Sequence, residues 1–162
     1  MRSKISRAAA LVLMILFCIA LSGCVRAEKV EGKVDVPPFS IVIDGNEYTE
    51  AAFADLPVYE CKATSTNRYG TEETYVYTGY QLNDVLQAVG ESGANGVTTV
   101  AADGYEADLT AKETQDATTL LAFYRDGKTS AEDGTVFVVP CKSDFTPDYV
   151  KVVEEIVVNE AA

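Results

Sequence analysis

Two thiols carry most of the chemistry that this sequence offers. Cys61 and Cys141 lie in a part of the chain with a globular composition. A thiol pair can form a disulfide, remain as two buried thiols, or serve as a metal ligand or redox pair. The 162 residues include no histidine. A Ser-His-Asp triad, a His-ligated zinc or haem site and a histidine switch near neutral pH are therefore excluded.

The charge of the chain excludes another class of function. There are 25 acidic against 13 basic residues, a formal net charge of −12. Phosphate backbones require a basic surface, so we expect no nucleic-acid partner and no polybasic attachment to anionic lipid. Apolar residues make up 48% of the chain, and its length predicts one folded domain.

The first 23 residues have the pattern of a secretory signal. Three basic residues lie near the start: Arg2, Lys4 and Arg7. The apolar run that follows, Ala8 to Leu21, is short for a membrane span. It ends in Leu21-Ser22-Gly23-Cys24, which resembles a bacterial lipobox, whose cysteine receives the lipid. The alternative is an uncleaved anchor helix with an incidental cysteine.

These features divide the chain into three parts. We predict a lipoprotein signal peptide at 1–23, a lipidated tether at 24–38 that ends in Pro37-Pro38, and a folded domain at 39–159. Removing the signal, with its three basic and no acidic residues, leaves 139 residues with 10 basic and 25 acidic groups, a net charge of −15. The lipid on Cys24 would make the membrane a partner, and the predicted location is the extracytoplasmic face of the cell membrane.

The elements that must position the thiols are mostly short strands. Alternating and β-branched segments predict strands at 40–43, 47–49, 58–64, 75–78, 96–101, 105–109, 120–124, 135–139 and 155–158. Three Asp-Gly pairs predict tight turns: Asp44-Gly45, Asp103-Gly104 and Asp126-Gly127. The polar segment 65–74 reads as an exposed loop.

Helices are predicted to be few and short. An apolar stripe at i, i+3, i+4 and i+7 predicts a helix over 81–89, and Thr110 opens a capping box for another. A third is predicted over 49–56, and a helical turn at 149–153. The fold class is therefore α+β, dominated by β-structure, with a mixed sheet and short helices.

The order of these segments is similar to the molybdopterin-binding domain of the sulfite oxidase family. Three segments carry the resemblance: 77–86 (YTGYQLNDVL), Asp103-Gly104-Tyr105, and Val138-Val139-Pro140 at a late strand. Members of that family have a Tyr/Trp-x-Gly-x-x-Leu-x-Asp-Leu-Leu-like segment, an Asp-Gly-Tyr-like turn and a Val-Pro-Gly-like loop with a lysine nearby. The match runs from about Ser40 to Val158.

The resemblance implies an oxidoreductase fold in which one cysteine ligates molybdenum. By position this catalytic and metal-binding residue would be Cys61, and Arg68 and Lys142 would hold the anionic molybdopterin or its substrate. An extracytoplasmic electron-transfer role with a redox protein partner would follow. Cys141 stands where the family usually has a glycine.

The basic residues of the chain support an alternative function. Family members hold the pterin and its phosphate with several Arg, Lys and His side chains, whereas the predicted mature part has three arginines and no histidine. The alternative is a module without cofactor that binds a small ligand or a protein on the same fold.

The same two cysteines also predict a structural disulfide. Outside the cytoplasm, two thiols in one small domain most often pair, and the family alignment places Cys61 and Cys141 at the lip of one pocket. A bridged Cys61 could not ligate a metal. Two buried thiols, and a metal ligand or redox pair, remain the other interpretations.

Tyrosines cluster near these segments, at positions 59, 69, 75, 77 and 80. They are explained either by strand packing or by a ligand groove lined by Tyr69, Tyr75 and Tyr77 around the 65–74 loop. Acidic residues do not form a calcium-binding loop pattern and are interpreted as solvated surface.

Overall fold

The computed structural model describes residues 25–129, 136–144 and 149–160. The predicted signal peptide at 1–23, Cys24 and the first residue of the strand predicted at 135–139 lie outside the described residues. Across the described ranges, none of the helices has the length and apolarity needed to cross a bilayer.

The described part of the chain forms ten strands and two short α-helices. The strands are β1 (Ala27–Lys29), β2 (Ser40–Ile43), β3 (Asn46–Thr49), β4 (Val58–Thr66), β5 (Glu72–Gln81), β6 (Val97–Ala101), β7 (Glu106–Leu109), β8 (Thr119–Arg125), β9 (Phe137–Pro140) and β10 (Val153–Val158). The helices are α1 (Leu82–Ala88) and α2 (Ala111–Thr114), with 3₁₀ turns at Glu50–Phe53 and Gly93–Asn95.

The strands form two five-stranded sheets. The first has the order β1-β4-β5-β8-β9, and all its neighbours are antiparallel. The second has the order β3-β2-β10-β6-β7 and is mixed, because β2 and β10 run parallel. The expected β-dominant α+β class is therefore confirmed, and the mixed character belongs to the second sheet.

One face of the first sheet packs against the second sheet and α1. Leu121 and Phe123 of β8 join Ile41 and Ile156 of the second sheet in a fully buried cluster. Leu120 and Ala122 of the same strand point to the opposite face, where a second buried cluster lies. Both faces of β8 are therefore covered, which explains its nearly continuous apolar run.

The second face of the first sheet is concave. Thr66 at the end of β4 donates its backbone N–H to the carbonyl oxygen of Asp144, which follows β9, at 2.8 Å. Because β5 and β8 separate β4 from β9 in the sheet, this bond requires the sheet to curl. The second cluster fills the resulting concavity: Cys61, Ala63, Tyr77, Leu120, Ala122, Phe137, Val139, Cys141 and Tyr149.

The prediction of an exposed loop over 65–74 was wrong. β4 continues to Thr66 and β5 begins at Glu72, so only 67–71 form a turn. The polar residues of this segment alternate, with Ser65 buried inside and threonines outside. Thr64 and Thr74 pair across the strands through their hydroxyl oxygens, 2.8 Å apart, which stabilises the extension.

Two further segments differ from expectation. The segment predicted as a tether contains β1, whose Ala27 pairs with Cys61 on β4. The helical turn predicted at 149–153 is instead extended chain, because Val150 exchanges backbone hydrogen bonds with Val138 at 3.0 Å. Val152 takes a positive φ of 53°, which turns the chain into β10.

Candidate functional site

Cys61 and Cys141 meet in the concavity of the first sheet. Cys61 lies on β4 and Cys141 follows β9; the side chains are buried, each residue being 1% exposed. The structure holds them as two free thiols in one buried cluster. Their mutual contact lowers the pKa of Cys61, whereas the same contact and burial raise the pKa of Cys141. The disulfide between them stays a prediction.

Two tyrosines cover the thiol pair. The rings of Tyr77 and Tyr149 contact edge to face, with centroids 6.0 Å apart. Tyr149 donates its hydroxyl proton to the carbonyl oxygen of Ser143 at 3.0 Å. Burial raises the pKa of Tyr77 to about 12 and also raises the pKa of Tyr149. Both hydroxyls therefore keep their protons at neutral pH.

A cavity of about 240 Å³ opens beside these tyrosines. Its lining residues come from β4, β5, β8, β9 and the segment before β10: Ser65, Glu73, Tyr75, Tyr77, Arg125, Phe137, Val139, Tyr149 and Lys151. Arg125 lies over the rings of Tyr75 and Phe137, with its guanidinium carbon 4.9 and 5.7 Å from their centroids. Its guanidinium also lies near the hydroxyl of Tyr77, whose pKa it lowers against the larger effect of burial. These contacts fix the guanidinium in the cavity wall.

The described lining of the cavity is positively charged in an acidic protein. Among the described lining residues, Arg125 and Lys151 contribute two positive charges and Glu73 one negative charge, which leaves this part of the lining with a formal charge of +1. Within the described ranges, neither Arg125 nor Lys151 forms an ion pair with a carboxylate, whereas Lys142 forms one with Asp116. Two such cations around one cavity, both without a counter-ion in the described part of the chain, indicate an anion-binding site.

Lys142 lies in a separate groove beside α2. Its ammonium contacts the Asp116 carboxylate at 2.7 Å. The groove, about 280 Å³, also contains Lys112 and Glu113, so its formal charges cancel. The groove is therefore a weaker anion site than the cavity around Arg125.

The ion pair of Lys142 predicts an acid-dependent loss of stability. Burial raises the pKa of Asp116, but hydrogen bonds from Lys142 and Thr118 outweigh this effect and hold the pKa below its ordinary value of 3.8. A carboxyl with a lowered folded-state pKa stabilises the fold above its ordinary pKa, and this contribution is lost as the pH falls through the folded-state value. We expect the unfolding free energy to fall below pH 3.8, and less steeply in Lys142→Met.

Urea unfolding between neutral and acid pH measures this slope. Lys112→Met is the matched control, because Lys112 lies in the same groove and forms no ion pair with a described carboxylate. Equal acid slopes in Lys142→Met and Lys112→Met would contradict the assignment.

Arg68 lies apart from both cavities. It sits in the turn between β4 and β5, where its guanidinium carbon lies 5.0 Å from the ring centroid of Tyr69. Tyr69 is 78% exposed at this tip. Of the predicted tyrosine groove, the structure brings Tyr75 and Tyr77 together in the cavity and leaves Tyr69 outside it.

Sequence reasoning missed the residues that give the cavity its charge. Arg125 is the last residue of β8 and precedes a tight turn. A register shift between Thr78 and Gly79 of β5 pairs Arg125 with Tyr77, and the alternation of side chains along β8 does not predict this pairing. Lys151 lies in the segment expected to be helical. The usable signal was the pair of aromatic residues on β5, at the two-residue spacing that points Tyr75 and Tyr77 to one side.

Comparisons with known proteins identify the fold and no closer relationship. No family model matches the chain. No curated protein is detectably similar in sequence. Among solved structures, the chain is similar to the sulfane dehydrogenase SoxCD from Paracoccus pantotrophus, with a TM-score of 0.62 and 15% identity over 76% of this chain. The chain corresponds to 39% of the length of that protein's chain. The expected β-dominant, sulfite-oxidase-like fold is thereby confirmed.

The residues present do not fit molybdopterin. The thiol of Cys61, the one expected metal ligand, is 1% exposed and lies in a buried cluster with Cys141, Tyr77 and Tyr149. A pterin with its phosphate is as large as the ligands that occupy pockets of roughly 300–1,000 Å³. The cavity, at about 240 Å³, lies below that range.

Proposed function

We propose that this domain is an extracytoplasmic binding module on an oxidoreductase-like fold, held at the membrane by a lipid on Cys24. Its ligand is a small molecule that binds in the cavity around Arg125. The observation that carries the proposal is the pair of cations, Arg125 and Lys151, around a cavity in a strongly acidic chain. The burial of Cys61 supports a function without molybdenum.

The side chains of the cavity have distinct roles in this proposal. The guanidinium of Arg125 is held over two rings and against a hydroxyl, so binding a ligand orders it little further. Lys151 is exposed at the rim, where it attracts the ligand from solution. The hydroxyl of Tyr77 lies near Arg125 and keeps its proton at neutral pH, so it can donate this proton to a ligand oxygen.

The fold likeness favours one other function. A molybdopterin-dependent oxidoreductase would use Cys61 as the metal ligand, with Arg68 and Lys142 on the cofactor, and would pass electrons to a redox partner. That function requires the thiol of Cys61 to leave Cys141 and become accessible.

Metal analysis separates the two functions. The full chain is produced in a host that makes molybdopterin, extracted from membranes with detergent, and measured for molybdenum content and visible absorbance. We expect much less than one molybdenum per chain, equal in the parent protein and in Cys61→Ser. Stoichiometric molybdenum that Cys61→Ser abolishes would overturn the binding module and establish the oxidoreductase.

Membrane attachment is tested in the same preparations. We expect intact-mass spectrometry of the parent protein to show a chain that begins at Cys24 and carries the added mass of a lipid, and Cys24→Ala to lack that added mass, because the thiol that receives the lipid is gone. A parent protein without the added mass would contradict lipidation at Cys24.

A further inference from the structure

We infer that the cavity around Arg125 binds a small organic monoanion, a monocarboxylate with a short apolar or flat body. This inference deepens the proposed function and rests on it. Three features of the cavity carry it: its net charge, the geometry of its donors and its aromatic walls.

The net charge of the cavity matches one negative charge. Arg125 and Lys151 supply two positive charges, and Glu73 lines the same space with one negative charge. The amide of Asn67 contacts Glu73 at 3.4 Å, which keeps this carboxylate in the cavity wall. A dianion such as sulfate would carry twice the charge of the cavity and face Glu73 across a small space. A monocarboxylate neutralises the cavity without that repulsion.

The donors of the cavity suit a flat carboxylate. A guanidinium presents two parallel N–H groups, which bind both oxygens of a carboxylate. The rings of Tyr75 and Phe137 hold the guanidinium of Arg125 in one plane, and the hydroxyl of Tyr77 lies beside it. Its hydroxyl proton is retained at neutral pH, because burial raises the pKa of Tyr77 to about 12.

Part of the remaining wall is apolar, beside the hydroxyl group of Ser65. The rings of Phe137 and Tyr149 and the side chain of Val139 line the space. A volume of about 240 Å³ limits the ligand to the size of a short-chain or single-ring acid. Such walls bind the organic part of a carboxylate, which inorganic oxyanions lack.

Binding of sodium benzoate to the full chain tests this inference. Calorimetric titration at constant ionic strength compares benzoate with inorganic sulfate. We expect benzoate to bind at least about tenfold more tightly than sulfate, and Lys151→Met to weaken benzoate about tenfold, as a charge-assisted contact predicts. Lys62→Met removes the same charge from the outer face of β4 and should leave the affinity unchanged.

The variant Arg125→Lys provides a second test, because it keeps the positive charge and removes the two parallel N–H groups of the guanidinium. We expect it to weaken benzoate while the chain stays folded by circular dichroism. Sulfate binding as tightly as benzoate, or equal affinities in Lys151→Met and Lys62→Met, would overturn the inference. Absence of benzoate binding by a folded, molybdenum-free protein would also overturn it and leave the binding module standing. Stoichiometric molybdenum in the parent protein would overturn the proposed binding-module function, and with it this inference.

Discussion

Gly79→Ala is expected to destabilise the domain by more than about 4 kcal/mol, in the range that is diagnostic of a steric clash. A Cβ added at Gly79 would lie 2.2 Å from the carbonyl oxygen of Leu121 and 2.5 Å from the Cα of Ala122. Both are backbone atoms of β8, so no side chain can rotate away. The clash falls at the register shift between Thr78 and Gly79, in the centre of the first sheet.

Gly90→Ala is the matched control for this prediction. Gly90 follows α1 with a φ of 85°, and an added Cβ there meets nothing within 4 Å. Its cost is therefore limited to the left-handed backbone, about 1–2 kcal/mol. Urea unfolding followed by circular dichroism measures both variants. Gly79→Ala within about 1 kcal/mol of Gly90→Ala would show that β8 shifts to accept the methyl group.

Oxidation of Cys61 and Cys141 is expected to stabilise the exported domain by roughly 3–5 kcal/mol, because the disulfide would close a loop of about 80 residues. The two thiols lose their protons and two electrons to a thiol–disulfide exchange catalyst, and one S–S bond forms. Both side chains belong to the same buried cluster, so we expect the bond to form without unfolding of β4 or β9.

Unfolding with and without a reducing agent measures this contribution. The parent protein should lose roughly 3–5 kcal/mol on reduction. Cys61→Ala, Cys141→Ala and the double variant should be insensitive to the reducing agent and similar to one another. Mass spectrometry of the non-reduced parent checks the bond directly. Two thiols that both react with an alkylating reagent after unfolding without reductant would refute the disulfide.

Much of the fold follows from local patterns in the sequence. The apolar stripe of α1 and the Asp-Gly turn at Asp44 were predicted correctly, because each depends on residues close in the chain. The capping box at Thr110 was also predicted correctly: its hydroxyl accepts from the backbone N–H of Glu113, whose carboxylate bonds back to the backbone of Thr110. Such elements leave a signal in residues close in the chain, so they can be predicted without knowledge of the tertiary contacts.

The site was predicted less well than the fold, because it depends on contacts between distant residues. The meeting of Cys61 and Cys141 was expected from the predicted compartment and from the family resemblance. Arg125 reaches Tyr77 because the two residues are paired on the neighbouring strands β8 and β5, and Lys151 joins the cavity from the segment before β10. No local pattern marks either cation, since one ends a strand and the other lies in a segment predicted to be helical. A basic residue in an acidic chain indicates a binding site only once its position in the folded structure is known.

The pairing of β1 with β4 limits how far the domain can reach from a lipid on Cys24. Ala27 is held opposite Cys61, so three peptide units separate the paired strand from the proposed attachment point. Fully extended, three residues span about 10 Å, close to one Debye length at physiological salt. The domain would then lie against the lipid headgroups in a restricted orientation, because the linker is too short to let it rotate freely. Neighbouring membrane proteins would find it by a search in two dimensions, and soluble ligands would enter its cavity from the thin ionic layer at the bilayer surface.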